Sequence, residues 1–147
     1  MPKCSEVMTR DPVCVEPDES VTHAAQIMRQ EDVGSLPVVE SHSSRRLIGI
    51  ITDRDIVVKV IAEGRGVEHA AVRAAMTANP ASCGENDDLE EAVRVMAQRQ
   101  VRRMPVVDAQ GRLSGIIAQA DVATRVNRDN KTGELVEAIS DPGTARR

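Results

Sequence analysis

Apolar residues recur at helical spacing in two segments of the chain. The first segment has Val21, Ala24, Ala25 and Met28 at positions i, i+3, i+4 and i+7, and the second repeats this spacing with Leu89, Ala92, Val93 and Met96. Such spacing predicts two amphipathic helices that each turn one face toward a core. Ser20 or Asp18 precedes the first helix as a candidate N-cap. At the second helix, Asp88 and Glu91 have the spacing of a capping box.

Each predicted helix is followed by two short apolar runs rich in β-branched residues, which predict strands. These runs are Leu36–Val39 and Leu47–Thr52 after the first helix, and Met104–Val107 and Leu113–Ala118 after the second. Polar turns at Ser41–Arg46 and Asp108–Arg112 separate them. A proline stands near the start of each first run, where it costs a strand least. A further helical pattern through Ile56–Ile61 ends at Gly64, and Asp121–Val126 is its shorter counterpart.

The second half of the chain repeats the first. Sliding the chain on itself superposes Val7–Pro12 on Ala75–Pro80, Val33–Val39 on Val101–Val107, Leu47–Ile51 on Leu113–Ile117, and Asp55 on Asp121. One duplicated unit therefore fills the chain. We expect a first repeat at residues 1–61, a linker at 62–74, a second repeat at 75–126 and a C-terminal tail at 127–147. Within the tail, Leu135, Val136 and Ile139 predict one short helix.

The composition narrows the classes of function. The formal net charge is −4 and the chain has no Phe, Tyr or Trp. Its core is therefore aliphatic, and it lacks the basic surface and the stacking rings of nucleic-acid-binding modules. No apolar run approaches the roughly 18 residues that cross a bilayer, and Met1–Arg10 does not have the layout of a signal peptide. We therefore expect a cytoplasmic protein that binds neither nucleic acid nor membrane.

The reactive residue types indicate neither catalysis nor metal binding. His23, His42 and His69 share no i,i+3 or i,i+4 spacing and the chain has no CxxC pair, so we expect no metal site. Three cysteines in a chain of this length predict reduced thiols. Cys83 has no base beside it, although a redox link to Cys14, which holds nearly the equivalent place in the first repeat, is an alternative. We expect that the protein is not an enzyme.

Three motifs occur in the same order in both repeats. They are a Met-Thr-x-x-Pro opening, a Val-x-x-x-Pro-Val-Val strand and a glycine-led element that ends in aspartate, as in Gly49–Asp55. Together they resemble a tandem pair of cystathionine-β-synthase (CBS) domains, or Bateman module, of the stand-alone bacterial and archaeal kind. The resemblance covers residues 3 to about 126. It implies an α+β fold of two repeated β-α-β-β-α units, packed with pseudo-two-fold symmetry, whose central cleft binds adenine nucleotides or related adenosyl ligands.

The resemblance assigns two ligand sites, of which the first is more complete. Site one joins the ribose element of the first repeat to the pre-proline segment of the second, and its residues are Thr52, Asp55, Val101, Arg102, Arg103 and Met104. The chemistry agrees, because a carboxylate can accept bonds from both ribose hydroxyls and arginines give charge-assisted donors to phosphate. A simpler interpretation leaves Thr52 and Asp55 as a helix cap and the arginines as a solvated surface pair.

Site two departs from this pattern. Its residues are Val33, Gly34, Ser35, Leu36 and Asp121. Ala118 stands where a threonine is expected, and Gly34 and Ser35 replace the two arginines, so one hydroxyl and two cations are lost. We expect site two to bind more weakly, to hold a neutral adenosine end, or to be empty. A capping role competes with ligand binding for Asp121.

By resemblance, the chain is a regulatory signal-transduction module that requires no cofactor and binds AMP, ADP or ATP, ahead of NAD or S-adenosylmethionine. Without aromatic residues, the adenine would lie between aliphatic or Met side chains. Occupancy would pass to an unidentified effector protein, and we expect a homodimer. The expected contact surface is formed by the helices that carry Val57, Val60, Ile61, Val122 and Val126. The alternative function is a ligand-independent, stress-associated interaction or scaffold protein.

Overall fold

The computed structural model describes residues 2–129 of the chain, with side chains as far as Arg125. Its elements are α1 (Cys4–Val7), β1 (Thr9–Arg10), α2 (Val21–Glu31), β2 (Ser35–Val39), β3 (Leu47–Thr52), α3 (Asp53–Ile56), a π-helical turn (Val57–Ile61), a 3-10 turn (Val72–Ala74), β4 (Thr77–Ala78), β5 (Cys83–Gly84), α4 (Leu89–Arg99), β6 (Arg103–Val107), β7 (Leu113–Ala118) and α5 (Gln119–Asp129). This order confirms the predicted α+β class with two repeated units. The short helix predicted at Leu135, Val136 and Ile139 lies outside the described residues.

The chain forms two compact units, and each unit combines parts of both sequence repeats. One unit is Val13–Pro80, and among the described residues the other joins 2–12 to 81–129. This exchange follows from strand pairing, because β1 pairs antiparallel with β7, and β4 pairs antiparallel with β3. The opening strand of each repeat therefore completes the sheet of the other repeat. The compact units are for that reason not cut at the boundaries of the sequence repeats.

In the unit Val13–Pro80, β2, β3 and β4 form one antiparallel sheet, with α2 packed against β2. Val21, Ala24 and Met28 are buried on the predicted face of α2, whereas Ala25 is exposed. The expectation for Ala25 is therefore wrong, because the buried stripe of this helix is narrow and Ala25 falls beyond its edge. Val72, in the segment expected as a linker, is fully buried in the same core.

The second unit contains a four-stranded sheet in the order β1-β7-β6-β5, in which β5 pairs parallel with β6. The predicted core face of α4 is confirmed, because all four of its residues are buried: Leu89, Ala92, Val93 and Met96. These side chains pack with Cys4 and Met8 from the N-terminal segment and with Met104 and Ile117 from the sheet.

The two helix starts differ in how they are capped. Ser20 Oγ accepts a hydrogen bond from His23 N at 3.0 Å, so Ser20 is the cap of α2, while Asp18 pairs with Arg73. The capping box predicted for α4 is wrong, since the Asp88 side chain accepts no capping hydrogen bond. The N-terminal segment occupies this place instead, and the Leu89 N–H donates to the carbonyl of Pro2 at 2.9 Å.

The hairpin strands follow the predicted runs closely. β3 and β7 have the predicted bounds, while β2 and β6 begin one residue earlier, so Pro37 is the third of five strand residues and does not stand at the start. The position is tolerated because alternate backbone groups of a strand point in opposite directions. Val39 N donates to Val15 O, away from β3, so the nitrogen of Pro37 also faces away from β3 and no hydrogen bond to that strand is lost.

Candidate functional site

The glycine-led element that ends in Asp55 lies where β3 passes into α3. The Thr52 hydroxyl accepts a hydrogen bond from Asp55 N, and Asp55 Oδ2 accepts one from Thr52 N, both at 3.0 Å. These two bonds form a capping box, so the simpler interpretation of the pair is present in the structure. Lys59 adds a charge, because its Nζ lies 3.2 Å from Asp55 Oδ1 and donates to the carbonyl of Ala75.

The pre-proline segment of the same unit lies beside this element. Ser35 is the register partner of Thr52, and Asp53 N donates to the carbonyl of Gly34 at 2.9 Å. Hairpin pairing thus brings Gly34 and Ser35 next to the start of α3. Gly34 and Ser35 offer backbone groups and one hydroxyl but no cation.

The second unit repeats this geometry with different chemistry. Arg103 is the register partner of Ala118, and Gln119 N donates to the carbonyl of Arg102 at 2.8 Å. Asp121 Oδ2 accepts a hydrogen bond from Ala118 N at 3.0 Å, so the expected capping role of Asp121 is present. Ala118 has no hydroxyl to return a bond to Asp121 N.

Arg103 is the polar side chain of this unit that is least well satisfied. Its Nε atom is buried and has no hydrogen-bond partner among residues 2–129. Burial lowers the pKa of the Arg103 guanidinium, while the charge of Asp121 acts in the opposite direction. A buried donor on a cation without an acceptor is costly. An anionic oxygen would satisfy it.

A small cavity of about 160 Å³ adjoins Asp121 within the same unit. It is lined by Glu6, Val7, Asp121, Thr124 and Arg125. This contribution of α1 could not be predicted from the sequence, because nothing local to residues 6 and 7 indicates that they meet the second repeat.

The predicted site-one residues are distributed over both units. Thr52 and Asp55 lie in the unit Val13–Pro80, and Val101, Arg102, Arg103 and Met104 lie in the other unit. Arg102 is exposed, and Val101 and Arg103 are partly buried. The side chain of Met104 belongs to the core, as does that of Leu36 from predicted site two, so each can offer a ligand only backbone atoms.

The cysteines are free thiols, as expected, and all three are buried. Cys83 makes a hydrogen bond to Cys4, and this lowers the pKa of Cys4 and raises that of Cys83. Burial raises the pKa of Cys14, whose Sγ lies 3.8 Å from His42 Nδ1. The thiol neighbour of Cys83 within its unit is therefore Cys4, which the sequence comparison with Cys14 did not indicate.

The exposed apolar surface agrees only partly with the predicted dimer contacts. Val57, Val58 and Ile61 are 53%, 43% and 55% exposed. Val60 and Val122 are fully buried in their own units, so these two side chains of the predicted helices cannot contribute to a contact surface. The side chain of Val126 lies outside the described part of the chain.

The duplicated helix and hairpin units define a tandem regulatory-type domain, and the family comparison identifies the domain. The model of the CBS domain matches residues 4–62 and 72–128, so the chain belongs to the CBS-domain family and carries the domain twice. "CBS domain-containing protein YhcV" of Bacillus subtilis (strain 168) is 36% identical over 140 residues, which are 95% of this chain and 96% of YhcV. "Hypoxic response protein 1" of Mycobacterium tuberculosis is 34% identical over 97% of this chain and 96% of its own length.

Comparison with solved structures supports the same family assignment. The crystal structure of Hypoxic Response Protein I with two coordinated zinc ions has a TM-score of 0.76 and 36% identity, and the match covers 84% of this chain and 98% of that one. CBSX2 of Arabidopsis thaliana in complex with AMP has a TM-score of 0.76 at 27% identity, over 89% of this chain and 100% of that one. Among the described helices, none is long and apolar enough to span a membrane.

Proposed function

We propose that this CBS pair is a non-enzymatic regulatory module that binds AMP, ADP or ATP and passes its occupancy to an effector protein. Thr52 and Asp55 of one repeat and Val101, Arg102, Arg103 and Met104 of the other contact the same nucleotide. A ligand held by residues of both repeats couples them energetically, and that coupling is what a partner can read.

The observation that carries this proposal is the buried Nε of Arg103, which is unpaired within residues 2–129. The buried Nε has no acceptor among the described residues, and burial lowers the pKa of the guanidinium, so an anionic oxygen that accepts from Nε would stabilise the charged form. Phosphate fits because guanidinium and phosphate oxygens form strong charge-assisted hydrogen bonds. The AMP complex of CBSX2 supports an adenine nucleotide as the ligand.

Thr52 and Asp55 both cap α3 and contact the ligand in this proposal. Their capping bonds hold the hydroxyl and the carboxylate side by side at the start of α3. A carboxylate fixed in this way can accept hydrogen bonds from both ribose hydroxyls without losing further side-chain freedom on binding. Asp121 is held by one capping bond, without a neighbouring hydroxyl, and this supports weaker binding at site two.

Binding can be tested by thermal unfolding with and without AMP. At 100 times its dissociation constant, AMP should add about 2.7 kcal/mol to the free energy of unfolding. Arg103→Met should weaken AMP binding by about 10- to 100-fold, the worth of one charge-assisted hydrogen bond. Without AMP, this variant should be no less stable than the wild type, because a buried unsatisfied donor has been removed.

Arg99→Met is the matched control, since Arg99 is an exposed arginine at the end of α4. It should bind AMP like the wild type. Absence of any shift with millimolar AMP, ADP or ATP would refute the sensor and leave the scaffold function. Equal AMP affinity in the Arg103 and Arg99 variants would refute the role of Arg103.

We further propose that the chain pairs with a second copy through the exposed apolar face of Val57, Val58 and Ile61. These side chains are about half exposed and adjacent on one helical segment, and burying them on association is favourable. Ile61→Lys should convert a dimer to a 15.9 kDa species in sedimentation velocity. A wild-type chain that is already monomeric at micromolar concentration would contradict the dimer.

A further inference from the structure

Several metal-ligating side chains converge at the turn end of the β2–β3 hairpin, opposite the end that carries Ser35 and Thr52. They are Cys14, Glu16, Glu19, His23 and His42. Cys14 and Glu16 flank the residue that bridges to β2, Glu19 lies in the turn before α2, His23 in the first turn of α2, and His42 in the hairpin loop. Glu16, Glu19 and His23 lie within eight residues of one another, whereas His42 is distant in sequence and only the fold brings it to them.

The ligand atoms of Glu16, Glu19 and His42 lie close enough together to hold one cation, and His23 contacts Glu19 beside them. One ligand atom each from Glu16, Glu19 and His42 lies within 4.8 Å of the other two. His42 Nε2 lies 3.2 Å from Glu19 Oε2, and His23 Nε2 lies 3.1 Å from Glu19 Oε1. Zinc bonds of about 2.0–2.2 Å to nitrogen and oxygen place neighbouring ligand atoms roughly 3.3 Å apart. The imidazoles are about half exposed, so an ion can reach them from solvent.

Surrounding contacts orient these ligands. Glu16 Oε2 accepts a hydrogen bond from His42 N at 2.7 Å, which ties this carboxylate to the hairpin loop. Cys14 Sγ lies 3.8 Å from His42 Nδ1, so Nδ1 can donate to sulfur while Nε2 keeps its lone pair for a metal. The guanidinium of Arg45 lies nearby, with Nη1 3.7 Å from Cys14 Sγ. The negative charges of the two glutamates offset its positive charge.

The other repeat shows what the fold itself requires at this place. There, Gly84 N donates to Asp87 Oδ2, as Glu16 N donates to Glu19 Oε2, so one acid is enough to build the turn. By the same alignment, Gly84 replaces Glu16 and Glu91 replaces His23, while the loop Asp108–Arg112 contains no histidine. The repeated fold therefore does not require the histidines or a second glutamate at this place.

We propose that Glu16, Glu19 and His42, with His23 as the fourth ligand, form a zinc site that fastens the start of α2 to the β2–β3 hairpin. Imidazole and carboxylate ligands suit zinc, and two carboxylates balance the charge of the ion. The site uses none of the residues assigned to nucleotide binding, so the two proposals stand independently.

Zinc binding to the full chain can be measured by competition with a chromophoric chelator. The wild type should bind one Zn²⁺ per chain, and His42→Ala should weaken binding by about 100-fold or more, since even second-shell losses cost about 10- to 100-fold. Glu19→Gln should have a similar effect. His69→Ala and Glu63→Gln are matched controls, because both residues are exposed and lie outside the cluster.

Circular dichroism of each variant establishes that it is folded before its affinity is compared. One tight equivalent in the wild type and both controls, lost in His42→Ala and Glu19→Gln, supports the site. Zinc binding that is absent in the wild type, or that survives in His42→Ala, overturns it. If Glu19→Gln does not fold, His23→Ala tests the same ion through another ligand and should also lower the affinity.

Discussion

At the scale of single residues, two glycines allow backbones to approach closely. A Cβ at Gly115 would lie 2.7 Å from Met8 Cγ and 2.9 Å from the carbonyl oxygen of Thr9. A Cβ at Gly49 would lie 2.9 Å from the carbonyl oxygen of Thr77. Each glycine stands under the opening strand of the other repeat, so the Met-Thr and Gly motifs of the family describe one contact.

Gly115→Ala should therefore destabilise the protein by about 1–3 kcal/mol, the usual cost of overpacking. The obstacle includes a backbone carbonyl, which cannot swing aside as the end of a side chain can. Urea unfolding followed by circular dichroism measures the change. Gly66→Ala is the control, because a Cβ there meets only an ordinary contact with His69 at 3.9 Å. Equal midpoints for the two variants would contradict this account.

At the scale of elements, the helix starts after β3 and β7 differ in their caps. Thr52 and Asp55 exchange two hydrogen bonds, whereas Asp121 accepts one from Ala118 N and Ala118 has no hydroxyl to return a second. Thr52→Ala should lower the free energy of unfolding by about 1 kcal/mol, the usual cost of losing a cap. Ala118→Thr should raise it by a similar or smaller amount. Denaturant unfolding of both variants checks the pair, and a stabilising Thr52→Ala would contradict it.

The β6–β7 turn predicts a pH effect. Hydrogen bonds from Arg112 N and Nε and from Gln110 N, each 2.9 Å long, lower the pKa of Asp108. Because the folded pKa lies below the unfolded one, this contribution to stability is present above pH about 4 and is lost as the pH falls through the folded value. An NMR titration should find Asp108 below its ordinary pKa, and Arg112→Ala should raise it. An Asp108 pKa at its ordinary value would contradict the hydrogen bonds described for this turn.

Most of these elements follow from local sequence pattern. The short apolar runs bounded by polar turns gave β3 and β7 their correct ends, and the spacing of Leu89 to Met96 gave the buried face of α4. The capping box at Asp88 failed because a distant segment, Pro2, accepts from Leu89 N, and no local pattern reports this. The cluster of Glu16, Glu19 and His42 was missed for the same reason.

At the scale of the whole molecule, the exchange of opening strands is the main feature that the duplication did not predict. A repeat in the sequence indicates which segments are alike, but strand pairing decides which segments fold together. Cys4 N donates to Asp87 O and Ser5 N to Glu85 O, so residues 2–12 fold with the second repeat. The family assignment, by contrast, followed from the duplicated motifs alone.

Deletion of residues 1–10 should therefore destabilise the unit that contains α4 more than the unit Val13–Pro80. It removes the buried side chains of Cys4 and Met8, the β1 strand, and the Pro2 acceptor of Leu89 N. Hydrogen exchange should speed up at Leu89 and along β7, with β2 and β3 less affected. Faster exchange confined to the unit Val13–Pro80 would contradict the exchange of strands.

We propose that this CBS pair binds an adenine nucleotide through the pre-proline segments and the elements that end in Asp55 and Asp121. The most direct test is an NMR titration of the ¹⁵N-labelled chain with AMP. Saturable shifts should appear at Thr52, Asp55 and the amides of residues 101–104, and be weaker at residues 33–36 and Asp121. A spectrum unchanged at millimolar AMP, or shifts confined to other residues, would contradict the claim.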